Sequence, residues 1–218
     1  MVLSAFRATC QEFCGDLMDF RLINQGPERA IEDVYSGKAD IGTLMISDGM
    51  CDPLLSTCQN KKLAYRTVTQ LPMAIFLREE HPLAGEMKAA AAAGQALPME
   101  KFRDYPFVDY EEYNTMTILA GQYPACVNRE KLIVVNKMLA RHQIVSQTDA
   151  YYMGCELAEE TLAAYRLLSF PIPGFFYRLI YIFRQDNELS EECQVFIRHL
   201  EQDTRRYYPA LFAPGNSQ

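Results

Sequence analysis

Residues 39–47 (ADIGTLMIS) constrain the fold of this chain more than any other segment. They are nearly all small or apolar, which is typical of a strand covered on both faces in a parallel sheet. A helix is predicted just before them, because Pro27 suits a first helical position and Gly37 suits the end of a helix. Ile31 and Val34 give that helix an apolar face. A buried strand that follows such a helix predicts an α/β fold.

The rest of the sequence continues this alternation of helices and strands. Residue types and helical spacing predict helices over residues 2–14 and 89–93 and a helical turn at 99–105. A further helix is predicted to begin near Asn128, with an apolar stripe formed by Leu132, Val135 and Leu139. Ser190 is predicted to cap a closing helix. β-rich runs predict strands at residues 18–24, 106–110, 165–172 and 176–183, and two strands within 62–78 that break at Leu71-Pro72. Residues 48–53 are predicted to form a loop.

The charge of the chain argues against direct binding of nucleic acid. Its 218 residues include 21 Lys and Arg against 28 Asp and Glu, which gives a formal net charge of −7. A surface that neutralises phosphates needs a basic excess, and this sequence has none. No apolar run approaches the roughly 20 residues that cross a bilayer. We therefore expect no direct DNA contact and no membrane insertion.

The N-terminal residues and the cysteines indicate a reducing compartment. The first residues lack the basic head and long apolar stretch of a secretory signal, so we expect a cytoplasmic protein. The seven cysteines are odd in number and lie in apolar patterns, which favours buried thiols over a disulfide framework. Cys10 and Cys14 have helical spacing, but no histidine or second cysteine pair completes a zinc site. The sequence predicts no metal site.

The three histidines do not form a catalytic pattern. His81 precedes a proline in a loop, and His142 and His199 lie in two separate predicted helices. The sequence contains no nucleophile elbow, phosphate-binding loop or dinucleotide-binding motif. For Cys155, a buried inert thiol is a simpler interpretation than a reactive one. We therefore expect neither enzymatic activity nor a cofactor.

Four motifs, in this order, resemble the effector-binding domain of LysR-type transcriptional regulators. They are Gln25-Gly26 with Ser36-Gly37-Lys38-Ala39-Asp40-Ile41-Gly42, Leu71-Pro72-Met73-Ala74-Ile75-Phe76-Leu77 with Glu80-His81-Pro82-Leu83-Ala84, Phe102-Arg103-Asp104-Tyr105-Pro106-Phe107-Val108, and residues 179–183 with Asn187-Glu188-Leu189-Ser190. The likeness covers nearly the whole chain. It implies two Rossmann-like lobes joined by two crossover strands, the type 2 periplasmic-binding-protein-like fold.

Prolines mark the places where the chain is expected to cross between the lobes. Pro72 and Pro173-Gly174 lie in extended segments that suit hinges, which predicts one lobe from residues 1–71 and 175–218 and another from 72–174. LysR-type regulators carry a DNA-binding helix-turn-helix before this domain, and the present sequence does not contain one. The resemblance therefore implies DNA contact only through an N-terminal domain outside this chain.

The resemblance also implies a function. Such a domain closes the cleft between its lobes on a small effector, here expected to be anionic. A homodimer or higher homo-oligomer is expected, because paired DNA half-sites require a reader with two-fold symmetry. The alternatives within the same fold are a stand-alone solute-binding protein and an enzyme that reuses the fold.

Polar residues at predicted helix starts and loop ends are the candidate effector ligands. Free N–H groups at helix N-termini favour anions, and the Arg129 guanidinium can bind a carboxylate with two parallel hydrogen bonds. Alternatively, Asn128 only caps its helix, Arg129 is solvated, and Thr148-Asp149 only stabilises a turn. Tyr151 either lines a pocket or packs in the interior. The predicted set is Gln25, Gly26, Ser47, Asn128, Arg129, Thr148, Asp149 and Tyr151.

Overall fold

The chain folds into two compact units in a computed structural model that describes residues 1–15, 19–111, 121, 124, 128–155 and 157–209. The first unit comprises Met1–Gln70 and Arg178–Gln218, and the second comprises Leu71–Tyr177. The chain passes from one unit to the other within two long strands.

Helices and strands alternate along both units. In chain order the elements are α1 (Val2–Glu12), α2 (Pro27–Tyr35), β1 (Ile41–Ser47), α3 (Asp48–Asn60), β2 (Leu63–Arg78), α4 (Ala84–Ala92), β3 (Phe107–Tyr110), β4 (Leu132–Val135), α5 (Met138–Gln147), β5 (Tyr152–Cys155), α6 (Glu159–Tyr165), β6 (Leu167–Arg184) and α7 (Glu191–Tyr207). Short 3₁₀ segments cover Met99–Asp104 and Arg129–Lys131. The predicted α/β class is confirmed.

The strands pair in two sheets. The order β1-β6-β2-β5 makes a four-stranded sheet, and β3 pairs with β4 in parallel. In the second unit β2 runs antiparallel to β5, with Phe76 opposite Tyr152 and Met73 opposite Cys155. A parallel bridge joins Phe107 of β3 to Tyr151, just before β5. This pairing places β5 and the residues that precede it in the interior of the second unit.

The core of the first unit covers one face of the predicted strand β1. Gly42, Leu44 and Ile46 are buried, whereas Ile41, Thr43 and Met45 on the other face are only half-buried, so the predicted burial of both faces is incomplete. The buried cluster consists of Ile31, Val34, Leu44, Ile46, Cys51, Leu54, Cys58, Leu63, Ile180 and Ile182. Gly42 of β1 lies between two of these side chains, because a Cβ built on it would lie 3.0 Å from Ile182 Cγ1 and 3.1 Å from Val34 Cγ2. The glycine of the Asp-hydrophobic-Gly motif is therefore needed for close packing of α2 and β6 against β1.

We expect Gly42→Ala to lower the free energy of unfolding by about 1–3 kcal/mol, since an extra methyl overpacks a filled core. Urea unfolding measures the loss. The matched control is Gly85→Ala in α4, where a Cβ meets no heavy atom within 4 Å; alanine there is expected to be neutral or stabilising by up to about 1 kcal/mol. Equal stabilities for Gly42→Ala and the wild type would show that this packing argument is wrong.

The predicted loop at residues 48–53 is wrong, because these residues begin α3. The helix continues through Pro53. Cys51, Leu54 and Cys58 follow helical spacing and are buried at 1%, 6% and 0% exposure. Burial of this apolar face outweighs the glycine and proline that favour a loop, because most helix stability in proteins comes from tertiary packing.

The predicted strand at residues 18–24 is also absent from the described part of the chain, which begins again at Asp19. Residues 19–26 have no regular structure, and the rings of Phe6 and Phe13 pack edge-on against Phe20, with ring centroids 6.5 and 5.9 Å away. Alternating residues form a strand only beside another strand that completes the backbone hydrogen bonds. No described strand pairs with this segment.

Two predicted strand breaks do not occur. Residues 63–78 form the single strand β2 through Pro72, and residues 167–184 form the single strand β6, in which Gly174 has a φ of +74°. A proline removes one donor but leaves the neighbouring residues free to pair, and here Leu71 and Met73 beside it are completely buried. Burial of the flanking side chains keeps the strand continuous.

The predicted helix from Asn128 is wrong. Only Arg129–Lys131 form a 3₁₀ turn there, and residues 132–135 form β4. Leu-Ile-Val-Val is rich in β-branched residues, which favours a strand, and β3 supplies the parallel partner. The helix begins ten residues later, at Met138. Leu139, expected on a buried face, is 57% exposed.

Candidate functional site

Two predicted ligands in the first unit are engaged with α2. The side-chain amide of Gln25 donates a 2.9 Å hydrogen bond to Asp33 Oδ2, and that carboxylate also binds Lys38 at 3.0 Å. Gly26 is buried at the N-cap of α2, where its carbonyl oxygen accepts from the Ala30 N–H at 3.0 Å. Both residues therefore fix the start of a helix.

Ser47, in contrast, holds a buried polar group without a partner. It is the last residue of β1 and the N-cap residue of α3, it is 1% exposed, and its side chain makes no capping bond. Its Oγ has no hydrogen-bond partner among the described residues. A buried hydroxyl without a partner lowers stability. Ser47 is thus the predicted ligand of the first unit with free hydrogen-bonding capacity.

In the second unit, Asn128 and Arg129 occupy a surface turn. Asn128 Oδ1 accepts from the Glu130 N–H at 3.1 Å, and its Nδ2 donates to the Arg103 carbonyl at 3.3 Å. Arg129 is exposed and makes no hydrogen bond or ion pair with any residue that the structure describes. Asn128 therefore caps the 3₁₀ turn Arg129–Lys131, and the effector-binding role of both residues stays a prediction.

Thr148 and Asp149 stabilise the turn after α5. The Thr148 hydroxyl donates to the Ile144 carbonyl at 2.9 Å and accepts from the Ala150 N–H at 3.2 Å. Asp149 Oδ1 accepts from Arg78 Nη2 at 2.7 Å. The Asp149 carbonyl lies 3.1 Å from His81 Nε2, while His81 Nδ1 accepts from the Leu83 N–H. This pattern places the proton of a neutral His81 on Nε2 and explains the His-Pro-Leu-Ala motif structurally.

Tyr151 packs in the interior of the second unit. It is 1% exposed, and its ring centroid lies 4.6 Å from that of Phe102 and 5.2 Å from that of Phe107. Its backbone N–H donates to Pro106 at 3.0 Å, and its carbonyl accepts from Val108 at 2.8 Å. Of the two interpretations left open for this tyrosine, core packing is the one that its surroundings support.

A buried cluster that the sequence interpretation missed lies on α5 and β5. Among the described residues, six buried side-chain atoms lack a hydrogen-bond partner, and three of them belong to Arg141, His142 and Tyr152. The Arg141 guanidinium lies 4.3 Å from the centre of the Tyr152 ring. The His142 ring stacks on the same tyrosine, with centroids 5.5 Å apart and planes 13° apart. Functional sites are where such buried, incompletely bonded groups accumulate.

The electrostatics of this cluster follow from its burial. Burial lowers the pKa of Arg141, although the negative charge of Asp109 opposes the shift. Burial, aided by the Arg141 charge, lowers the pKa of His142 to about 4. Burial raises the pKa of the Tyr152 phenol and raises that of the Cys155 thiol to about 12. At neutral pH the cluster therefore contains one cation, a neutral imidazole, a phenol and an unreactive thiol.

A simple spacing in the sequence points to this cluster. Arg141 and His142 lie four and three residues before Val145, which is completely buried in the core of the second unit. Residues at these spacings share one face of a helix. An arginine on the buried face of a helix is rare unless it is paired. The error in placing the start of the helix hid this pattern.

The described residues provide no group of three or more His, Cys, Asp or Glu side chains that could hold a metal ion. No helix among them is long and apolar enough to cross a membrane. Cys51 and Cys58 are buried in the first unit, as predicted, whereas Cys14 is exposed and Cys10, Cys155 and Cys193 are half-buried. The prediction of buried thiols therefore holds for two of the six cysteines described.

Solved structures identify the fold. No protein-family model and no curated protein matches the sequence. The effector-binding domain of QuiR in complex with shikimate is 14% identical, with 95% of this chain and 91% of that chain covered and a TM-score of 0.61. The regulatory domain of MetR from N. meningitidis is 12% identical, with 94% and 88% covered and a TM-score of 0.65. A full-length BenM variant is 13% identical, with 93% and 62% covered and a TM-score of 0.63.

The chain has the fold of LysR-family effector-binding domains. This is the type 2 periplasmic-binding-protein-like fold that the four sequence motifs imply, so the predicted fold is confirmed. The similarity covers more than nine tenths of this chain in all three comparisons. These solved structures are regulatory proteins or their domains.

Proposed function

We propose that this chain is the ligand-sensing regulatory domain of a LysR-type bacterial transcriptional regulator and binds a small anionic effector. The observation that carries the proposal is the fold, which extends over 95% of the chain to an effector-binding domain solved with shikimate, a carboxylate. The buried Ser47 hydroxyl and the buried Arg141 Nε add support, because neither has a hydrogen-bond partner among the described residues and each can bond to a ligand.

The lobes and the cellular context belong to the same proposal. Residues 1–71 with 175–218 form one lobe and 72–174 the other, and the compact units of the structure differ from these limits by no more than three residues. The domain acts in the cytoplasm without catalysing a reaction. It contacts DNA only through an N-terminal domain outside this chain.

We propose the predicted residues as effector ligands, and they differ in how much hydrogen-bonding capacity each has left for a ligand. Ser47 has an unpartnered buried hydroxyl, whereas the side chains of Gln25, Asn128, Thr148 and Asp149 already make hydrogen bonds within their own units. Alanine substitution at Ser47, Arg129 and Thr148 tests the set by calorimetric titration. If all three variants bind the effector with unchanged affinity, these residues do not form the binding site.

A thermal-shift screen tests the sensor function itself. The panel contains organic acids, neutral sugars and amines at equal ionic strength. A ligand at one hundred times its Kd is expected to raise the melting temperature by about 5–10 °C, since it binds only the folded chain. A panel in which no compound produces a saturable shift contradicts the proposed function.

We also propose that the domain forms a two-fold dimer. A regulator that reads paired DNA half-sites needs matching symmetry in the protein. Light scattering at micromolar concentrations is expected to give twice the 24.9 kDa chain mass. A constant monomer mass across that range argues against the dimer.

A further inference from the structure

Arg141 is a buried cation with incomplete hydrogen bonding. The residue is 9% exposed, and its Nη1 donates to the Met153 carbonyl at 3.5 Å, the outer limit for a hydrogen bond. Its Nε is buried and has no acceptor among the described residues. A buried charge without full compensation is strongly unfavourable, and a protein that holds one usually pairs it with an opposite charge.

The unpartnered edge of this guanidinium has the geometry that carboxylates bind. Because Nη1 is directed to Met153, the edge that carries Nε and Nη2 is left with no hydrogen bond to the described residues. Gly154 lies beside this edge, and a Cβ built on it would lie 3.4 Å from Nη2. Two N–H groups on one edge of a guanidinium bind a carboxylate through two parallel hydrogen bonds.

The neighbours of Arg141 add a hydrogen-bond donor and a negative charge beside the guanidinium. The Tyr152 hydroxyl is buried without a partner among the described residues, and its ring stacks on the guanidinium. Its phenol proton can be donated to an anion. Asp109, which is 6% exposed, attracts the guanidinium but repels any anion that approaches it. Asp109 therefore weakens the net attraction between this site and an anion.

We propose that Arg141, assisted by the Tyr152 hydroxyl, binds the carboxylate of a small organic acid within the second unit. The inference rests on the proposed sensor function and names the group by which the effector is recognised. It assigns the charge to Arg141 of α5, where the sequence assigned it to Arg129. The arginine fork distinguishes a carboxylate from a neutral analogue of equal shape.

Sodium salts of acetate, lactate and shikimate are the probes, with methyl shikimate as the neutral analogue and sodium chloride at matched ionic strength as the blank. At least one of the three acids is expected to raise the melting temperature of the wild type saturably, and methyl shikimate is not. Arg141→Met is expected to weaken the binding of that acid about ten- to hundredfold, because a charge-assisted hydrogen bond is lost.

Two further variants make the result specific. Arg103→Met removes an exposed arginine of the same unit and is expected to retain binding. Arg141→Lys keeps the charge but loses the fork, and it is expected to weaken binding as well. Without a ligand, Arg141→Met is expected to melt no lower than the wild type, because methionine fills the space without an unpaired charge. If Arg141→Met does not fold, Arg141→Lys carries the test.

The outcomes separate this inference from the sensor proposal. Equal binding of an acid by the wild type, Arg141→Met and Arg141→Lys overturns the role of Arg141 and leaves the sensor proposal standing. If a neutral metabolite stabilises the chain and no acid does, the role of Arg141 is likewise overturned and the sensor proposal stands. If Arg129→Met loses acid binding and Arg141→Met keeps it in full, the carboxylate is bound by Arg129 and not by Arg141. If no compound of any class shifts the melting temperature, both proposals fall.

Discussion

Lowering the pH from 7 to 5 is expected to reduce the free energy of unfolding by about 2 kcal/mol through His142, and lowering it to 4 by about 3 kcal/mol. In the folded chain the pKa of this imidazole is about 4, because burial and the Arg141 charge disfavour the protonated form. In the unfolded chain it returns to about 6.5. Between these values the unfolded state binds the proton and the folded state does not, so stability is complete above about pH 6.5 and falls as pH falls.

His81 contributes in the same direction, because burial also lowers its pKa. Urea unfolding at pH 7 and pH 5 measures the combined loss and stays above the range in which most carboxylates titrate. His142→Phe, which keeps an aromatic ring beside Tyr152, is expected to remove most of the acid-dependent loss. A pH dependence that is identical in His142→Phe and the wild type contradicts the assignment.

Phe76→Ala is expected to destabilise the second unit by about 3–5 kcal/mol. Phe76 is completely buried in β2 and belongs to the core cluster with Ala74, Val108 and Val145. Its ring stacks on Tyr152 with centroids 4.7 Å apart and planes 13° apart. Truncation removes this contact and leaves a cavity in a region where strand pairing prevents collapse.

Chemical denaturation monitored by tyrosine fluorescence and circular dichroism measures this change. Because the core of the first unit contains none of these residues, the variant is expected to separate the unfolding of the two units into two transitions. Leu3→Ala is the control: Leu3 is 69% exposed, and its truncation is expected to change the stability by no more than about 0.5 kcal/mol. A loss below 1 kcal/mol in Phe76→Ala contradicts the packing described for β2 and β5.

The sequence by itself determined the elements whose cause is local. Pro27 and Gly37 delimit α2, and Gly37 has the left-handed φ of +76° that such a helix end requires. Ser190 caps α7 by accepting a hydrogen bond from the Cys193 N–H. The strand β1 follows from its own apolar composition, although only one of its faces is fully buried. The four motifs implied the fold through their order and their spacing along the chain, because no one of them is specific by itself.

Only the tertiary structure decided the elements that depend on partners distant in the chain. The Leu-Ile-Val-Val run is a strand because β3 lies beside it, and residues 19–26 are not a strand because no described strand pairs with them. Pro53 lies inside a helix because Cys51, Leu54 and Cys58 of that helix are buried on its opposite face.

The candidate site also depends on the tertiary structure more than on the sequence. A sequence shows which arginines exist but not how much water reaches each of them, and that amount sets the energy of a charge. Arg129 at a predicted helix start is exposed, whereas Arg141 on the buried face of α5 is 9% exposed and incompletely bonded. Desolvation is a property of the assembled core. It singles out Arg141 only once β5 and α5 have packed together.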